Sequence, residues 1–343
     1  MTTPITSLSL ACRVVMDMHA LNNEGNESNR LMTRQVGIVT PATTEDGTPT
    51  YARSTVNAIS GDMNKHIFAD AFRDMALDLG LDVCPACQAL DPARMMGNAD
   101  FREFLKGKPA VDEVIDRLLT CAVDDVCGIM ITGEGMSVKR KSAIEFGWTV
   151  GLPEITEVQE FLHARHAITR LTRTKATRDS DEDTKKTALA EKGENIGQMV
   201  FNRPASSGVY AFVAHLDVAA IGFNDASQDY PDFVTDRDGR LRAALMALVQ
   251  TVLHPKGALT STQLPHVVDV EGFVSVSTSA AAAPLISPLA DNFIHRANDI
   301  AGLVNRIHGE NAVSLLPFAG SEGLLAQIAD VVETVTPAQY RRL

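Results

Sequence analysis

The segment LSLACRVVM at residues 8–16 has the alternation of a β-strand that buries one face. Its even positions, continued by Met18, fall on one face and are apolar, whereas Arg13, Asp17 and His19 fall on the other. We therefore expect the first face to enter the core and the second to meet a ligand.

The strand runs directly into a polar loop, HALNNEGNESNR, at residues 19–30. Amide and guanidinium groups can hydrogen-bond ribose and phosphate, but Asn and Gly also suit turns with positive φ. The loop is therefore either a nucleic-acid contact or simply a turn. Its candidate RNA-binding residues are Asn22, Asn23, Asn26, Asn29 and Arg30.

A helix is predicted to begin in the segment ISGDMNKHI, at residues 59–67. Ser60 is a plausible N-cap, apolar side chains recur every four residues from Met63 to Leu79, and Gly80 fits the position that ends a helix. Free N–H groups and the helix dipole favour an anion at such an opening.

Cationic and hydroxyl side chains supply further candidate contacts to a phosphate backbone. The alternatives are local packing for the histidine and a solvated surface for the other charges. The candidates are Lys65 and His66 in the predicted first turn, Lys139, Arg140 and Lys141 after a glycine turn, and Arg203, Ser206 and Ser207 further along.

Three blocks together resemble the DevR-type backbone subunit of type I CRISPR interference complexes, the Cas-seven family. They are HALNNEGNESNR, ISGDMNKHI and NRPASSGVYAF at residues 202–212, in the order and spacing of that family. The resemblance covers most of the chain, from about Leu8 to the last predicted helix. It implies a subunit that binds guide RNA along its length, one copy after another, without cutting it.

Alternating strands and helices indicate an α+β fold around one sheet with two insertions. The resemblance implies an RNA-recognition-motif-like (ferredoxin-like) palm, a helical finger insertion and a thumb hairpin. The corresponding ranges are 1–67, 128–168 and 202–343 for the palm, 68–127 for the finger and 169–201 for the thumb.

The resemblance also implies that the thumb wedges between bases and displaces one nucleotide at a regular interval. Met199, Val200 and Phe201 are the candidate wedge, and Arg170 and Arg173 lie on the basic stem. Guide pairing, and not base readout by the protein, would then select the target DNA.

Composition and charge restrict the function further. The 343 residues carry a formal net charge of −12, which is unusual for a nucleic-acid binder, but residues 136–178 hold eight basic and four acidic side chains. A basic groove on an acidic body is compatible with RNA binding because charge is screened within about 10 Å. Neither a membrane span nor a secretory leader is recognisable.

The five cysteines are an odd number, which suits a reducing cytoplasm. The pairs Cys84-x2-Cys87 and Cys121-x5-Cys127 could supply four thiolates to zinc, although the second spacing is wider than usual. Otherwise these side chains are small buried hydrophobes. No cofactor is expected.

The sequence therefore predicts a non-catalytic crRNA-binding subunit that oligomerises head to tail along the guide and contacts other Cascade subunits, with no membrane partner. A metal-dependent ribonuclease using Asp17 or Glu24 is the alternative from the enzyme class. A structural or regulatory protein unrelated to CRISPR is a third possibility. P-loop, dinucleotide and nucleophile-elbow motifs are not found.

Overall fold

A large, mainly antiparallel sheet organises the chain in the computed structural model, which describes residues 2–27, 30–166 and 198–340. In chain order the strands are β1 (Thr3–Ile5), β2 (Ser7–His19), β3 (Asn23–Glu27), β4 (Arg30–Thr33), β5 (Gln35–Thr43), β6 (Pro49–Ile59), β7 (Ile129–Gly133), β8 (Met136–Arg140), β9 (Ile144–Phe146), β10 (Thr149–His166), β11 (Gln198–Asp217), β12 (His266–Ser277), β13 (Val313–Ala319) and β14 (Val335–Pro337).

The helices lie between these strands and after them. They are α1 (Gly61–Asp78), α2 (Pro85–Gln88), α3 (Ala99–Lys106), α4 (Val111–Leu119), α5 (Ala122–Cys127), α6 (Arg237–Leu253), α7 (Phe293–His308) and α8 (Gly320–Thr334), with a 3-10 helix at Arg94–Gly97. The α+β class predicted from the sequence is confirmed for the described residues.

The main sheet has the strand order β13-β12-β2-β11-β10-β6-β5, and neighbours on this path run antiparallel. Strand β9 pairs with β11, and the β3–β4 hairpin joins β11 through a parallel pairing. Two smaller sheets are formed by β1 with β14 and by β7 with β8.

Strand β2 lies at the centre of the sheet and is covered on both faces. Leu8, Leu10 and Cys12 pack into the main core, which also contains residues of α1, α6 and α8. Ala11, on the opposite face, packs with Phe293 of α7 in a smaller second core. The predicted apolar face of this strand is therefore confirmed, and part of its other face is buried too.

Helix α1 begins and ends where the sequence predicts. The Ser60 side chain accepts a hydrogen bond from Met63 N, and Gly80 adopts a positive φ of 70°. Leu81 N donates to Ala76 O at 2.8 Å and Gly80 N to Leu77 O at 3.1 Å, which is the Schellman arrangement of a helix C-terminus. These caps fix both ends of the helix that carries Lys65 and His66.

A helical segment follows α1 and contains α2 to α5. The sequence predicts short helices at 99–105 and 110–120, and these are confirmed as α3 and α4. The division into palm, finger and thumb stays a prediction, but its limit at residue 67 falls inside α1, where Phe68 and Phe72 belong to the main core. Helix α1 therefore packs with the main body, and the helical segment follows it.

Two long hairpins extend from the sheet. One joins β5 and β6, which pair from Gln35↔Asn57 to Thr43↔Pro49; the Thr-, Pro- and Gly-rich sequence at 37–55 predicts a hairpin or loop, and the structure has the hairpin. The other joins β10 and β11, which pair continuously from Glu157↔Ser207 to His166↔Gln198. The two strands are paired on both sides of residue 201. The predicted end of the thumb therefore falls within β11 and not at the end of a strand.

After the basic cluster at 139–141 the sequence predicts an apolar strand that ends in Trp148. The strand found there is the short β9, and Trp148 lies outside it, just before β10. No helix in the described ranges is long and apolar enough to cross a membrane.

Candidate nucleic-acid interface

A cleft of ≈ 320 Å³ opens beside the start of α1. The start of α1 approaches β9 closely there, because a Cβ at Gly61 would lie 2.9 Å from Phe146 O. Cationic, acidic and aromatic side chains from two separate parts of the sequence, residues 61–65 and 141–148, meet at this cleft, including Lys65, Lys141, Trp148, Asp62 and Glu145.

Trp148 gives this surface an aromatic platform. Its side chain is 41% exposed, and the Arg34 guanidinium carbon lies 5.7 Å from its ring centroid. Exposed aromatic faces stack nucleic-acid bases, and an arginine beside them adds a cation for the backbone. The sequence contains a single Trp, shortly after the predicted basic cluster, and this is the signal that could have indicated the platform.

Buried amides hold these exposed groups in place. Asn64 Nδ2 donates to Gly147 O at 3.1 Å and to Thr149 Oγ1 at 2.9 Å, which fixes the chain on both sides of Trp148. Asn57 Nδ2 donates to Arg34 O at 3.0 Å and therefore positions the arginine. Residues that are themselves inaccessible to RNA thus determine the shape of the surface.

Asn22 has the same positioning role, which corrects its assignment as an RNA contact. Its side chain is buried, and its Oδ1 accepts a hydrogen bond of 2.7 Å from Ser60 N at the start of α1. Asn23 lies in β3 and is half-buried. The Asn26 side chain and the whole of Asn29 lie outside the described residues.

The charge at the cleft is mixed. Burial lowers the pKa of Lys65, and the Glu145 carboxylate, whose oxygen is 2.7 Å from the Lys141 Nζ, raises the pKa of Lys141. His66 is exposed on α1. Since the helix begins at Gly61, Lys65 and His66 lie in its second turn and not in the predicted first turn.

The run Lys139-Arg140-Lys141 does not act as one basic cluster. Arg140 is only 3% exposed, and its guanidinium binds Asp125 Oδ1 at 2.5 Å and two backbone carbonyl oxygens. Its assignment as an RNA contact is therefore wrong: alternation along β8 turns it inward with Val138, while Lys139 points to solvent. Lys141, after the strand, is exposed.

A β-bulge at the end of β2 reverses two other assignments. The register with β11 shifts between His19↔Ser206 and Met16↔Gly208, and Met18 takes a φ of 58°. As a result Met18 points outward, whereas His19, expected on a ligand-facing side, is 2% exposed.

Two serines of β11 that were predicted to bind RNA belong to this bulge. Ser206 is completely buried beside His19, so it is unable to contact RNA. The Ser207 hydroxyl accepts a hydrogen bond of 3.0 Å from Met18 N and stabilises the bulge. Both serines are therefore part of the local backbone architecture.

The β10–β11 hairpin carries the remaining candidates. Arg30 forms an ion pair with Glu160 of β10, and Arg203 donates to Thr262 Oγ1 at 2.9 Å. Leu162, on the outgoing strand, is 73% exposed and was not singled out in the sequence. Met199 and Phe201 pair in register with Arg165 and His163, but their side chains, like those of Val200 and all of Arg170 and Arg173, lie outside the described residues.

The two acidic residues proposed for a ribonuclease lie on different strands. Asp17 is in β2 opposite His266, and Glu24 in β3 has its Oε1 3.7 Å from Arg34 Nε. Neither belongs to the group of metal-ligating side chains found among the described residues.

That group contains Cys84, Cys87, Cys121 and Asp124, whose ligand atoms all lie within 4.8 Å of one another. It includes three of the four cysteines that the sequence offered for zinc. Cys127 is outside the group, and Asp124 takes its place. The spacing Cys121-x2-Asp124 repeats that of Cys84-x2-Cys87, and this is the sequence signal that could have indicated the carboxylate.

Comparison with known proteins identifies the family. Residues 10–298 match the model of the family described as "CRISPR-associated negative auto-regulator DevR/Csa2". The curated "CRISPR-associated protein Cas7/Cst2/DevR" of Methanocaldococcus jannaschii is 25% identical over 305 residues, covering 85% of this chain and 88% of that protein.

Two solved chains also align with 94% of this chain. One, from a "CRISPR RNA-guided surveillance complex, pre-nicking", is 10% identical with a TM-score of 0.43 over 100% of its length. The other, from a "CRISPR RNA-guided surveillance complex", is 9% identical with a TM-score of 0.38 over 99% of its length. The family match, which spans most of the sequence, carries the conclusion: the chain belongs to the DevR/Csa2 family of CRISPR-associated proteins.

Proposed function

We propose that the chain is a non-catalytic subunit that binds crRNA in a type I CRISPR interference (Cascade) complex, assembles head to tail along the guide and presents it for pairing with target DNA. The family match over residues 10–298 is the observation that carries this proposal. A repeated heterologous interface between copies generates an open helix, which suits a continuous strand of RNA.

The cleft beside α1 supports the RNA-binding part of the proposal. Lys65 and Arg34 provide positive charge, and Trp148 provides a face on which a base can stack. None of these side chains is specific for a particular base, so the protein would bind any guide sequence. The affinity for RNA would fall as the salt concentration rises. Lys141 and His66 extend the same surface.

The β5–β6 hairpin supports the assembly part. Along β5 no residue is buried, and Val39 and Tyr51 of this hairpin are exposed. Isolated two-stranded ribbons are marginally stable in water, so a ribbon of this length favours a contact outside its own chain. The proposed contact is a neighbouring copy on the same guide.

The test is to co-express the chain with its neighbouring genes and a repeat–spacer array, and to sequence the RNA that co-purifies. We expect discrete spacer-containing RNA in a large, elongated particle. Replacing Trp148→Ala together with Lys65→Ala should lower the salt concentration at which half of the RNA is released, since each stacked base contributes about 1–3 kcal/mol.

Arg306→Ala is the matched control, because Arg306 is exposed on α7, which packs against β13 at the opposite edge of the sheet from β5. RNA release at the same salt concentration in the double variant and the control would reject the cleft as the interface. An RNA-free monomer from the wild-type expression would reject the proposed function. Metal-dependent fragments of bound target RNA would instead favour the ribonuclease.

A further inference from the structure

Three thiols and one carboxylate converge where the helical segment after α1 returns to the main body. Cys84 precedes α2, Cys87 lies within α2, Cys121 precedes α5, and Asp124 is in the first turn of α5. Cys87, Cys121 and Asp124 are buried and Cys84 is half-buried. None of the five cysteines is in a disulfide.

The distances in this cluster match a tetrahedral metal site. Asp124 Oδ2 lies 3.7 Å from Cys84 Sγ and 3.4 Å from Cys87 Sγ. Zinc binds sulfur at about 2.3 Å and carboxylate oxygen at about 2.0–2.2 Å, so the sulfur–oxygen edge of its tetrahedron is about 3.5–3.7 Å. All four ligand atoms lie within 4.8 Å of one another, as one coordination shell requires.

The carboxylate also lacks a partner that would explain its burial. Asp124 has an exposure of 0%, and its Oδ1 has no hydrogen-bond partner among the residues that the structure describes. Burying such an acceptor unsatisfied costs about 1–3 kcal/mol, and more when it is charged. The nearby thiols are weak donors that reach only Oδ2. A cation bound to the carboxylate and the sulfurs would remove this cost.

The surroundings can accommodate the charge of a metal site. Three thiolates and a carboxylate around Zn²⁺ leave a net charge of −2. The Arg94 guanidinium lies next to the cluster, where its Nη1 donates to Val123 O at 3.4 Å, and its positive charge would offset part of that excess. Soft sulfur ligands with one oxygen exclude magnesium and calcium and favour zinc.

We propose that Cys84, Cys87, Cys121 and Asp124 bind a structural zinc ion that closes the base of the helical segment formed by residues 84–127. Four protein ligands leave no open coordination position, so the ion would hold the fold and would not catalyse a reaction. It would add to the hydrogen bond of 2.8 Å from Ala122 N to Asp82 O that already joins the two ends of the segment.

Metal analysis of the full-length wild-type protein, purified without a histidine tag or chelator, tests this proposal. About one zinc per chain is expected, and X-ray absorption should fit three sulfurs at about 2.3 Å and one oxygen at about 2.0 Å. Absence of metal with five free thiols, or with a disulfide between Cys84 and Cys87, would overturn the proposal. A coordination shell of four sulfur atoms would also overturn it, because Cys127 would then be the fourth ligand in place of Asp124.

Variants distinguish the proposed zinc ligands from a neighbouring cysteine that does not bind the ion. Cys87→Ser and Asp124→Asn should each weaken zinc binding at least tenfold, measured by competition with a chromogenic chelator. Cys127→Ser is the matched control, because Cys127 is buried nearby but lies outside the ligand group, and it should keep one zinc per chain. Zinc loss in the control would overturn the ligand assignment. The X-ray absorption spectrum of the wild-type protein identifies the zinc ligands even if a variant fails to fold.

Discussion

Asp124 and Asp125 are consecutive residues of α5, and both have an exposure of 0%, yet their surroundings differ completely. Asp125 accepts hydrogen bonds from Arg140 Nη2 at 2.5 Å, Arg240 Nη1 at 2.8 Å and Gly222 N at 2.9 Å. Asp124 faces thiols and leaves one oxygen without a partner.

The comparison teaches how a fold meets the cost of burying a carboxylate. For Asp125 the chain itself supplies two cations and a backbone donor, so the site is complete without any ligand. For Asp124 we propose that the cation comes from outside the chain. Asp125 joins a strand and a helix through ion pairs with Arg140 and Arg240, and a loop through the hydrogen bond from Gly222 N. In our proposal, Asp124 joins the two ends of the helical segment through a zinc ion.

Removing the charge of Asp125 should have the largest effect. Asp125→Asn leaves the Arg140 and Arg240 guanidinium groups buried without their shared counter-ion, and breaking a buried pair costs about 3–5 kcal/mol. Urea unfolding measures the loss, with Asp330→Asn on the exposed surface of α8 as the control. A decrease in the free energy of unfolding of less than about 1 kcal/mol would show that water or a shifted side chain takes over the hydrogen bonds of Arg140 and Arg240.

His19 extends the comparison to a buried group with no charged partner. Neither ring nitrogen has a hydrogen-bond partner in the described part of the chain, and burial lowers the pKa of His19 to about 4. Because the unfolded state binds the proton more tightly, stability is complete above the unfolded pKa of about 6.5 and falls as the pH drops towards 4.

The expected loss from this histidine is about 2 kcal/mol between pH 7.5 and pH 5. Unfolding of the wild type and of His19→Phe should be measured at both values, since the difference between them removes other acid-sensitive contributions. Parallel pH profiles would contradict the assignment of this dependence to His19. The phenyl ring can keep the edge contact that His19 makes with Tyr210 at 4.9 Å.

In chelator-treated, zinc-free protein, Asp124→Asn should lower the free energy of unfolding much less than Asp125→Asn does. An amide carries no charge to desolvate and loses only weak thiol donors, so a change of less than about 1 kcal/mol is expected. Urea unfolding with and without zinc measures it, and zinc should stabilise the wild type but not the variant. Equal losses from both aspartate variants without metal would mean that Asp124 has an internal partner after all.

The smallest effect is expected on the adjacent surface. Lys141→Ala removes an exposed i,i+4 pair with Glu145 and should change stability by less than about 0.5 kcal/mol. Arg140→Ala, one residue earlier, should cost several kcal/mol because it leaves Asp125 with one arginine fewer. Similar unfolding midpoints for the two variants would contradict the distinction between buried and exposed charge.

Local chemistry made much of the fold predictable. Ser60 and Gly80 defined both ends of α1, because an N-cap oxygen and a positive-φ residue have local signatures. Alternation from Leu8 onward predicted the central strand, and it failed at Met18 because a bulge added one residue there. Such an irregularity depends on the neighbouring strand, which the local pattern does not contain.

The candidate site was less predictable. Lys65, His66 and Lys141 are accessible as expected, whereas Asn22, Arg140 and Ser206 are used inside the protein. In the sequence, an amide or guanidinium that binds RNA looks the same as one that binds another part of the chain. Trp148 and Arg34 meet only because Asn64 and Asn57 hold their backbones.

By itself the sequence determined the family, the α+β class, the caps of α1 and three of the four proposed zinc ligands, since these depend on residue order, period and short spacing. Only the tertiary structure decided that Asp125 neutralises two arginines, that Asp124 takes the place of Cys127 and that Trp148 joins Lys65 at a cleft. The physical reason is that burial and charge pairing arise between residues far apart in the chain, where desolvation makes each unpaired group costly.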